Sequence, residues 1–210
     1  MNDLRPLSLL SLAAAAALFG TGCASGVKNP SGVPVTVMKP DEQGFVAGTG
    51  IESQDLVAVT DKMARSVLNT AEIKNFAGGP PRVALLPVNN ETRFAINKDI
   101  FLTRIRVQLN SKANGQVRFL AREALADLEK ERQLKREGSL TSTTNPNVQE
   151  FKGADFFLTG KLSGLTTKTK AGTSDYILYS FQLIDARTSD ILWEDSAEVK
   201  KQGLEDAAYR

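Results

Sequence analysis

Carboxylates are the side chains of this sequence that could do chemistry. Asp155 with Asp185, and Glu194 with Asp195, could act as acid and nucleophile on a glycosidic bond if the fold placed the members of a pair close together. The chain has no histidine and one cysteine, which excludes a histidine base and zinc sites of histidine and cysteine. The sequence also lacks a Gly-x-Ser-x-Gly elbow, a Walker loop and a calcium loop. We therefore expect no catalytic residue, no metal and no cofactor, and interpret the carboxylates as strand-end and surface groups.

The cysteine, Cys23, follows a segment with the layout of a signal peptide. An almost unbroken apolar run over residues 7–19 comes after Arg5, and it is shorter than the roughly 20 residues that cross a bilayer. The run ends in Gly20-Thr21-Gly22-Cys23, which resembles the lipobox of bacterial lipoproteins, although Gly20 stands where leucine is usual. The resemblance implies a signal peptide over residues 1–22, palmitate or similar acyl chains on Cys23, and, with Ala24 next, sorting to the outer membrane. The alternative is an ordinary secreted protein in which Cys23 is a free thiol.

The segment after the cysteine is poor in large apolar residues. Residues 24–50 are rich in glycine, proline, serine and threonine, so they cannot bury enough surface to offset their ordering entropy. We interpret residues 23–50 as the lipidated N-terminus and a flexible tether, which spans roughly 90 to 100 Å at full extension. The formal net charge of +2 gives no reason to expect a nucleic-acid partner.

Apolar periodicity predicts one globular periplasmic domain over residues 51–200, followed by a frayed tail over residues 201–210. The expected elements are a helix with Ser53 as N-cap, a strand over 82–88 ended by Pro87, a helix over 97–109, a strand over 116–120, a charged helix over 122–137, a loop over 140–147, and strands over 154–165, 175–185 and 190–200. The charges of the helix over 122–137 are interpreted as a solvated face. This order indicates an α/β (α+β) domain, in which helices pack on a mixed central sheet with an antiparallel C-terminal meander.

Four segments of the domain resemble the LpoB family, outer-membrane lipoproteins that activate bifunctional penicillin-binding proteins. They are VALLPVNNET at 83–92, VRFL at 117–120, GADFFLTG at 153–160, and YSFQLID at 179–185 running into TSDILW at 188–193. The resemblance covers roughly residues 51–200. This sequence departs from the best-known members in its shorter tether and in Ser189, which stands where a hairpin glycine is common.

The resemblance implies a protein that does no chemistry itself. It would reach from the outer membrane, dock on a small regulatory domain of a peptidoglycan synthase, and so regulate cell-wall synthesis and cell shape. For the docking surface we select the loop after the first strand together with a lysine beside it. The partner-binding residues expected on this basis are Asn89, Asn90, Thr92, Arg93 and Lys98, with Arg104 and Arg106 as second candidates for a basic patch. The alternative for Asn89 and Asn90 is that they only satisfy backbone groups in a turn.

Two other functions stay open at the level of sequence. One is a protomer of an outer-membrane assembly, such as a curli-secretion-like pore or a flagellar ring component. A pore is disfavoured, because the loops near Thr143 and Thr166 are too short and polar to supply membrane hairpins. The other is a peptidoglycan-cleaving or sugar-modifying enzyme, which is disfavoured by the absence of histidine and of a recognisable carboxylate motif. We expect a monomer.

Overall fold

The computed structural model describes residues 35–44, 48–113, 115–140 and 151–203. The chain divides into two units, and the fold below concerns the second unit, Lys39–Arg210. Cys23, the expected signal peptide, most of the expected tether, residues 141–147 of the expected loop and residues 204–210 of the expected tail lie outside the described residues. Among the helices that the structure describes, none has the length and apolar character needed to cross a membrane.

The domain contains four α-helices, a short 3-10 turn and six strands among its described residues. In chain order they are α1 (Ser53–Leu68), α2 (Ala71–Lys74), β1 (Arg82–Leu85), β2 (Asn89–Glu91), α3 (Ile100–Lys112), β3 (Arg118–Phe119), the 3-10 turn (Arg122–Ala124), α4 (Leu125–Arg136), β4 (Phe156–Thr169), β5 (Gly172–Asp185) and β6 (Ile191–Gly203).

The strands form one mixed sheet in the order β3-β1-β4-β5-β6, with β2 also paired to β4. β1 is parallel to β3 and β4, β2 is parallel to β4, and β4, β5 and β6 form an antiparallel meander. The mixed sheet with a C-terminal meander confirms the predicted fold class. The alternating side chains Ile177, Tyr179, Phe181 and Leu183 of β5 are all buried, since every second residue of a strand faces the same side.

Helices α1 and α3 cover the side of the sheet that those β5 residues face. Val59, Met63 and Val67 of α1 are buried, as the helical spacing predicts, and Phe101, Ile105 and their neighbours on α3 join the same core. The predicted N-cap, Ser53, is wrong, because Ser53 is the first residue of the helix and Glu52 caps it. The Asp55 carboxylate accepts the Glu52 backbone N–H at 2.8 Å, which fixes the start one residue earlier.

Helix α4 is solvated, as its charge pattern predicts. None of its residues is buried, and Leu128 remains 44% exposed. Gly138 follows the helix with φ of 76°, in the left-handed conformation that a helix-terminating glycine supplies. The helix therefore adds little to the hydrophobic core of the described domain.

The C-terminal strands are longer than predicted. The expected strands over 154–165 and 175–185 left residues 166–174 between them, but only Lys170 and Ala171 separate β4 from β5. β6 likewise continues to Gly203, so Lys201 belongs to the strand and not to a tail. There its ammonium bonds the Asp55 carboxylate at 2.6 Å and the Gly50 carbonyl at 2.9 Å, which holds the strand end against the start of α1.

Gly160 permits the close approach of β4 and β5. Its pairing partner in the register is Phe181, and a Cβ added at Gly160 would lie 2.5 Å from the Phe181 ring. Because real Cβ atoms do not approach a ring so closely, any other residue would force the aromatic side chain out of its packed position. The glycine is therefore part of the core packing.

Ser189 carries backbone strain in the turn between β5 and β6, since its φ is 66°. We expect Ser189→Gly to raise the free energy of unfolding by about 0.5 to 1 kcal/mol, because glycine adopts this conformation without the left-handed penalty. Urea unfolding measures the change. Ser174→Gly in β5 is the control, and it should be destabilising because that strand position has no positive φ to relieve. A less stable Ser189→Gly variant would contradict the prediction.

Candidate docking surface

The sheet has a second face that α1 and α3 do not cover. On β4 and β5 this face is formed by Phe157, Thr159, Lys161, Ser163, Leu178, Ser180 and Gln182, all half-buried or exposed. The side chains of β2 divide between the two faces. Asn90 aligns with the fully buried Leu162 on the helix side, whereas Asn89 aligns with the exposed Lys161 on the open side.

An exposed polar patch lies where β2 meets β4, and we call Asn89, Glu91 and Lys161 the β2 patch. The Lys161 ammonium lies 2.8 Å from one Glu91 carboxylate oxygen, with both side chains about half exposed at 49% and 48%. The Asn89 amide donates to the other carboxylate oxygen at 3.0 Å. An ion pair this exposed contributes little to stability and can exchange partners with an incoming protein.

Glu91 and Lys161 are not among the docking residues expected from the sequence. Asn89–Glu91 was interpreted as part of a loop, but it forms a parallel strand, which sends Asn89 and Glu91 to the open face together. The sequence did contain a signal for Lys161. Leu158 and Leu162 of β4 are apolar and lie on one face of the strand, whereas Lys161 is an odd number of residues away from both. This spacing shows that Lys161 faces away from the core.

Asn90 and Thr92 bond within their own turn. The Asn90 amide donates to the Phe94 carbonyl at 2.8 Å, and its side-chain oxygen accepts the Thr92 backbone N–H at 3.0 Å and the Thr92 hydroxyl at 2.7 Å. Thr92 also packs against Gly164, where a Cβ would lie 3.2 Å from the Thr92 Cα. The geometry of Asn90 therefore matches the alternative stated for Asn89 and Asn90, in which the side chain satisfies backbone groups in a turn.

Arg93 reaches inward and pairs with a buried carboxylate. Its Nε and Nη2 donate to the two oxygens of Asp175 at 2.9 and 2.6 Å, and the Asp175 side chain is only 2% exposed. The Thr166 hydroxyl donates to the same carboxylate at 2.5 Å, and Thr49 accepts from the guanidinium at 3.2 Å. The hydrogen bonds from Arg93, joined by those of Thr166 and Thr49, hold the pKa of Asp175 far below its ordinary value, against the opposing effect of burial.

Lys98 is the fifth expected docking residue, and it is half-buried immediately before α3. The neighbouring Asp99 accepts the Val88 backbone N–H at 3.3 Å, which holds the chain before α3 close to the start of β2. Of the expected residues, the structure thus brings Asn89 and Lys98 to the same end of β2, while Asn90, Thr92 and Arg93 bond within the domain.

Arg104 and Arg106, the second candidates for a basic patch, are each paired with a carboxylate. Arg104 lies 3.6 Å from Asp61 and donates to the Thr60 hydroxyl at 2.9 Å, and Arg106 lies 2.8 Å from Glu123. The positive charge of both side chains is compensated within the domain. The surface around the expected basic patch therefore also contains the acidic side chains of Asp61 and Glu123.

The carboxylates that could have served catalysis have structural contacts. Asp155 accepts the Arg82 backbone N–H at 2.7 Å. Backbone N–H groups of Arg187 and Thr188 lower the pKa of Asp185, which favours the ionised form and disfavours a proton-donating role. Glu194 accepts the Gln182 amide at 2.7 Å. Within the described residues, no cluster of three or more cysteine, aspartate or glutamate side chains could hold a metal ion.

Comparison with known proteins gives one family. The sequence model described as "Peptidoglycan-synthase activator LpoB" matches residues 55–199, from α1 into β6. No curated protein matches the sequence.

Several solved structures are similar to the chain at low identity. The LpoB C-terminal domain from Salmonella enterica shares 17% identity with a TM-score of 0.43, covering 69% of this chain and 98% of that one. The LpoB C-terminal domain from Escherichia coli gives 17% identity, a TM-score of 0.40 and the same coverage. The lipoprotein GNA1162 from Neisseria meningitidis shares 14% identity with a TM-score of 0.37, covering 61% of this chain and 88% of that one.

Proposed function

Because the chain belongs to the LpoB family of peptidoglycan-synthase activators, we propose that it binds and activates a bifunctional penicillin-binding protein. Its lipid anchor is Cys23, which fixes the protein in the outer membrane with its domain in the periplasm. The observation that carries the proposal is the extent of the family match, since residues 55–199 contain β1 to β5 and α3 whole, most of α1, and β6 as far as Val199. The family's role is regulation of the synthase, and the structural contacts of the carboxylates agree with a protein that acts by binding.

The docking surface in this proposal is the β2 patch together with Lys98. Asn89, Glu91 and Lys161 lie on paired strands, so the sheet holds them in fixed relative positions before a partner arrives. The charges of Glu91 and Lys161 are exposed and can re-pair across an interface, which steers association. Asn90, Thr92 and Arg93 belong to the surface as the residues that position it, because their side chains fix the turn after β2 and attach it to β5.

Exchange of two lysines tests this surface. We expect the double variant Lys98→Glu and Lys161→Glu to bind the regulatory domain of the synthase about tenfold more weakly, which corresponds to ~1.4 kcal/mol. The cause is the reversed charge at one end of β2. Binding is measured by titration of the purified synthase domain, and activation by the rate of glycan polymerisation. Lys74→Glu, at an exposed site on α2, is the matched control and should bind as the unchanged protein does.

The possible results of this experiment distinguish an error in the proposed function from an error in the proposed docking surface. Failure of the unchanged protein to bind or accelerate any synthase would refute the proposed function. Normal activation by the unchanged protein with equal affinity of the double variant would refute only the surface. Consumption of glycan without a synthase would indicate an enzyme, and stable rings without a synthase effect would indicate an assembly protomer.

A further inference from the structure

β6 is the outermost strand of the sheet on one side. It spans 13 residues from Ile191 to Gly203, and its inner edge pairs with β5 along nearly all of that length. The outer edge of such a strand presents backbone N–H and C=O groups that another strand can pair with. An edge this long therefore needs either a partner or a device that keeps partners away.

The described domain has such a device at the middle of β6. The Lys62 ammonium, from α1, donates to the Ser196 carbonyl, and the Asp195 carboxylate accepts the Ser196 backbone N–H at 2.7 Å. Lys62 and Asp195 are themselves 3.2 Å apart, so the two charged side chains bond to both backbone polar groups of one residue, Ser196. We call Lys62 and Asp195 the edge clasp.

A second contact holds α1 against the same part of β6. The Trp193 indole donates to the Ser66 hydroxyl at 3.0 Å, one helical turn after Lys62. This hydrogen bond holds α1, and with it the backbone of Lys62, beside the middle of β6.

The clasp shows which backbone groups point outward. Because the Ser196 N–H and C=O bond to side chains instead of to β5, they face the outer edge. Backbone direction alternates along a strand, so Glu194, Glu198 and Lys200 also present their N–H and C=O groups outward. These are the groups that an added strand would use.

The sequence of β6 is complementary to itself in the antiparallel register with the greatest overlap. Ala197 is the midpoint of the strand, and an antiparallel copy centred there places Glu194 opposite Lys200 twice. Opposite charges in directly facing positions stabilise a strand pair. Centring the pair on Ser196 or on Glu198 instead places glutamate opposite glutamate, which is destabilising. The register with the greatest overlap is thus also one of complementary charge.

We propose that the outer edge of β6 is a self-association surface for a second copy of this chain, and that the edge clasp keeps it closed. In the self-paired register the Ser196 N–H and C=O bond to Glu198 of the second copy, so the clasp and the added strand compete for the same two groups. The clasp acts within one molecule and prevails while Lys62 and Asp195 are both present. Loss of the clasp opens the edge at its centre.

A cysteine at position 197 reports on this register. Ala197 bonds to β5, so its two copies face each other as a non-hydrogen-bonded pair with Cα atoms about 4.5 Å apart, within disulfide range. The test uses the full-length chain in mild detergent with Cys23→Ser, which removes the other cysteine. We expect Ala197→Cys with Lys62→Met to yield about tenfold more disulfide-linked dimer than Ala197→Cys alone. The reason is that Lys62→Met removes the charge-assisted hydrogen bond to Ser196 that competes with the added strand.

Three further variants make the result decisive. Asp195→Ala should open the edge as Lys62→Met does, and thermal unfolding of each confirms that the domain is folded. Lys161→Met, which breaks an exposed ion pair elsewhere, should leave the edge closed. Gln202→Cys should give no dimer with Lys62→Met, because its copies would lie about 33 Å apart in the proposed register.

Each outcome bears on the proposal. Dimer formation confined to Ala197→Cys with a broken clasp supports it. Equal cross-linking with the clasp intact, equal cross-linking through Gln202→Cys, or no dimer from folded Lys62→Met and Asp195→Ala variants would overturn it.

Discussion

Replacing Arg93 with methionine is expected to lower the free energy of unfolding by about 3 kcal/mol. The substitution keeps an apolar side chain of similar length but leaves Asp175 as a buried carboxylate without its cation. We expect the lower end of the range for broken buried pairs, because Thr166 still donates to the carboxylate and Arg93 itself is 29% exposed. Chemical denaturation of the domain at neutral pH measures the change.

An exposed ion pair in the same protein supplies the control. Lys161→Met breaks the Glu91 pair on the open sheet face and should lower the free energy of unfolding by less than about 1 kcal/mol. Equal losses from Arg93→Met and Lys161→Met would show that burial of Asp175 does not strengthen its pair.

The pH dependence of stability identifies the same carboxylate. Folding lowers the pKa of Asp175. Its contribution to the free energy of unfolding is therefore complete above the unfolded pKa of about 3.9 and is lost as the pH falls toward the folded pKa. Unfolding measured from about pH 6 to about pH 3 should therefore lose stability on the acid side. Asp175→Asn should show a shallower loss, since asparagine has no proton to gain there.

Replacing Cys23 with alanine is expected to abolish incorporation of labelled palmitate and to remove the protein from the outer-membrane fraction. Several acyl chains at about 0.8 kcal/mol per buried methylene make the proposed anchor effectively permanent, and alanine has no thiol to receive them. Radiolabelling and membrane fractionation measure the two effects. Ser25→Ala, two residues later, is the control and should keep both label and location. Palmitate on the Cys23→Ala protein would exclude Cys23 as the modified residue.

The parts of the fold that follow from local patterns were predictable. Alternation in β5 identified Ile177, Tyr179, Phe181 and Leu183 as one face, because a strand repeats every two residues. Helical spacing did the same for Val59, Met63 and Val67 on α1. These patterns are set by the buried side chains themselves, so the sequence carries them without reference to distant elements.

The parts that depend on distant partners were not predictable. Asn89–Glu91 has no residue typical of strands, and it becomes β2 only because β4 lies beside it. Thr49 and Gly50 were expected in the tether, but both are buried, since Arg93 and Lys201 bond to them. Local composition could not reveal contacts to residues so far along the chain.

The candidate docking surface likewise combines residues that local sequence patterns identify with residues whose role depends on distant partners. An arginine in a polar loop is typical of a recognition surface, and nothing near Arg93 in the sequence indicates Asp175, which is 82 residues away. Only the tertiary fold shows that Arg93 positions the turn while Asn89 and Lys98 remain at the surface. Lys161 was not selected for a different reason. A strand is identified in a sequence by its apolar residues, and the polar residues on its exposed face are not examined as candidates.

The hydrogen bonds from Arg93 to Thr49 and from Lys201 to Gly50 also determine where a mechanical force on the tether enters the domain. In the anchored protein that we propose, tension along the tether arrives at Thr49 and Gly50 before it reaches α1. Arg93 and Lys201 pass it to Asp175 of β5 and Asp55 of α1, so the pull is shared between the sheet and the helix at the point of arrival. Stretching of the anchored chain would therefore load these hydrogen bonds and ion pairs before the rest of the domain.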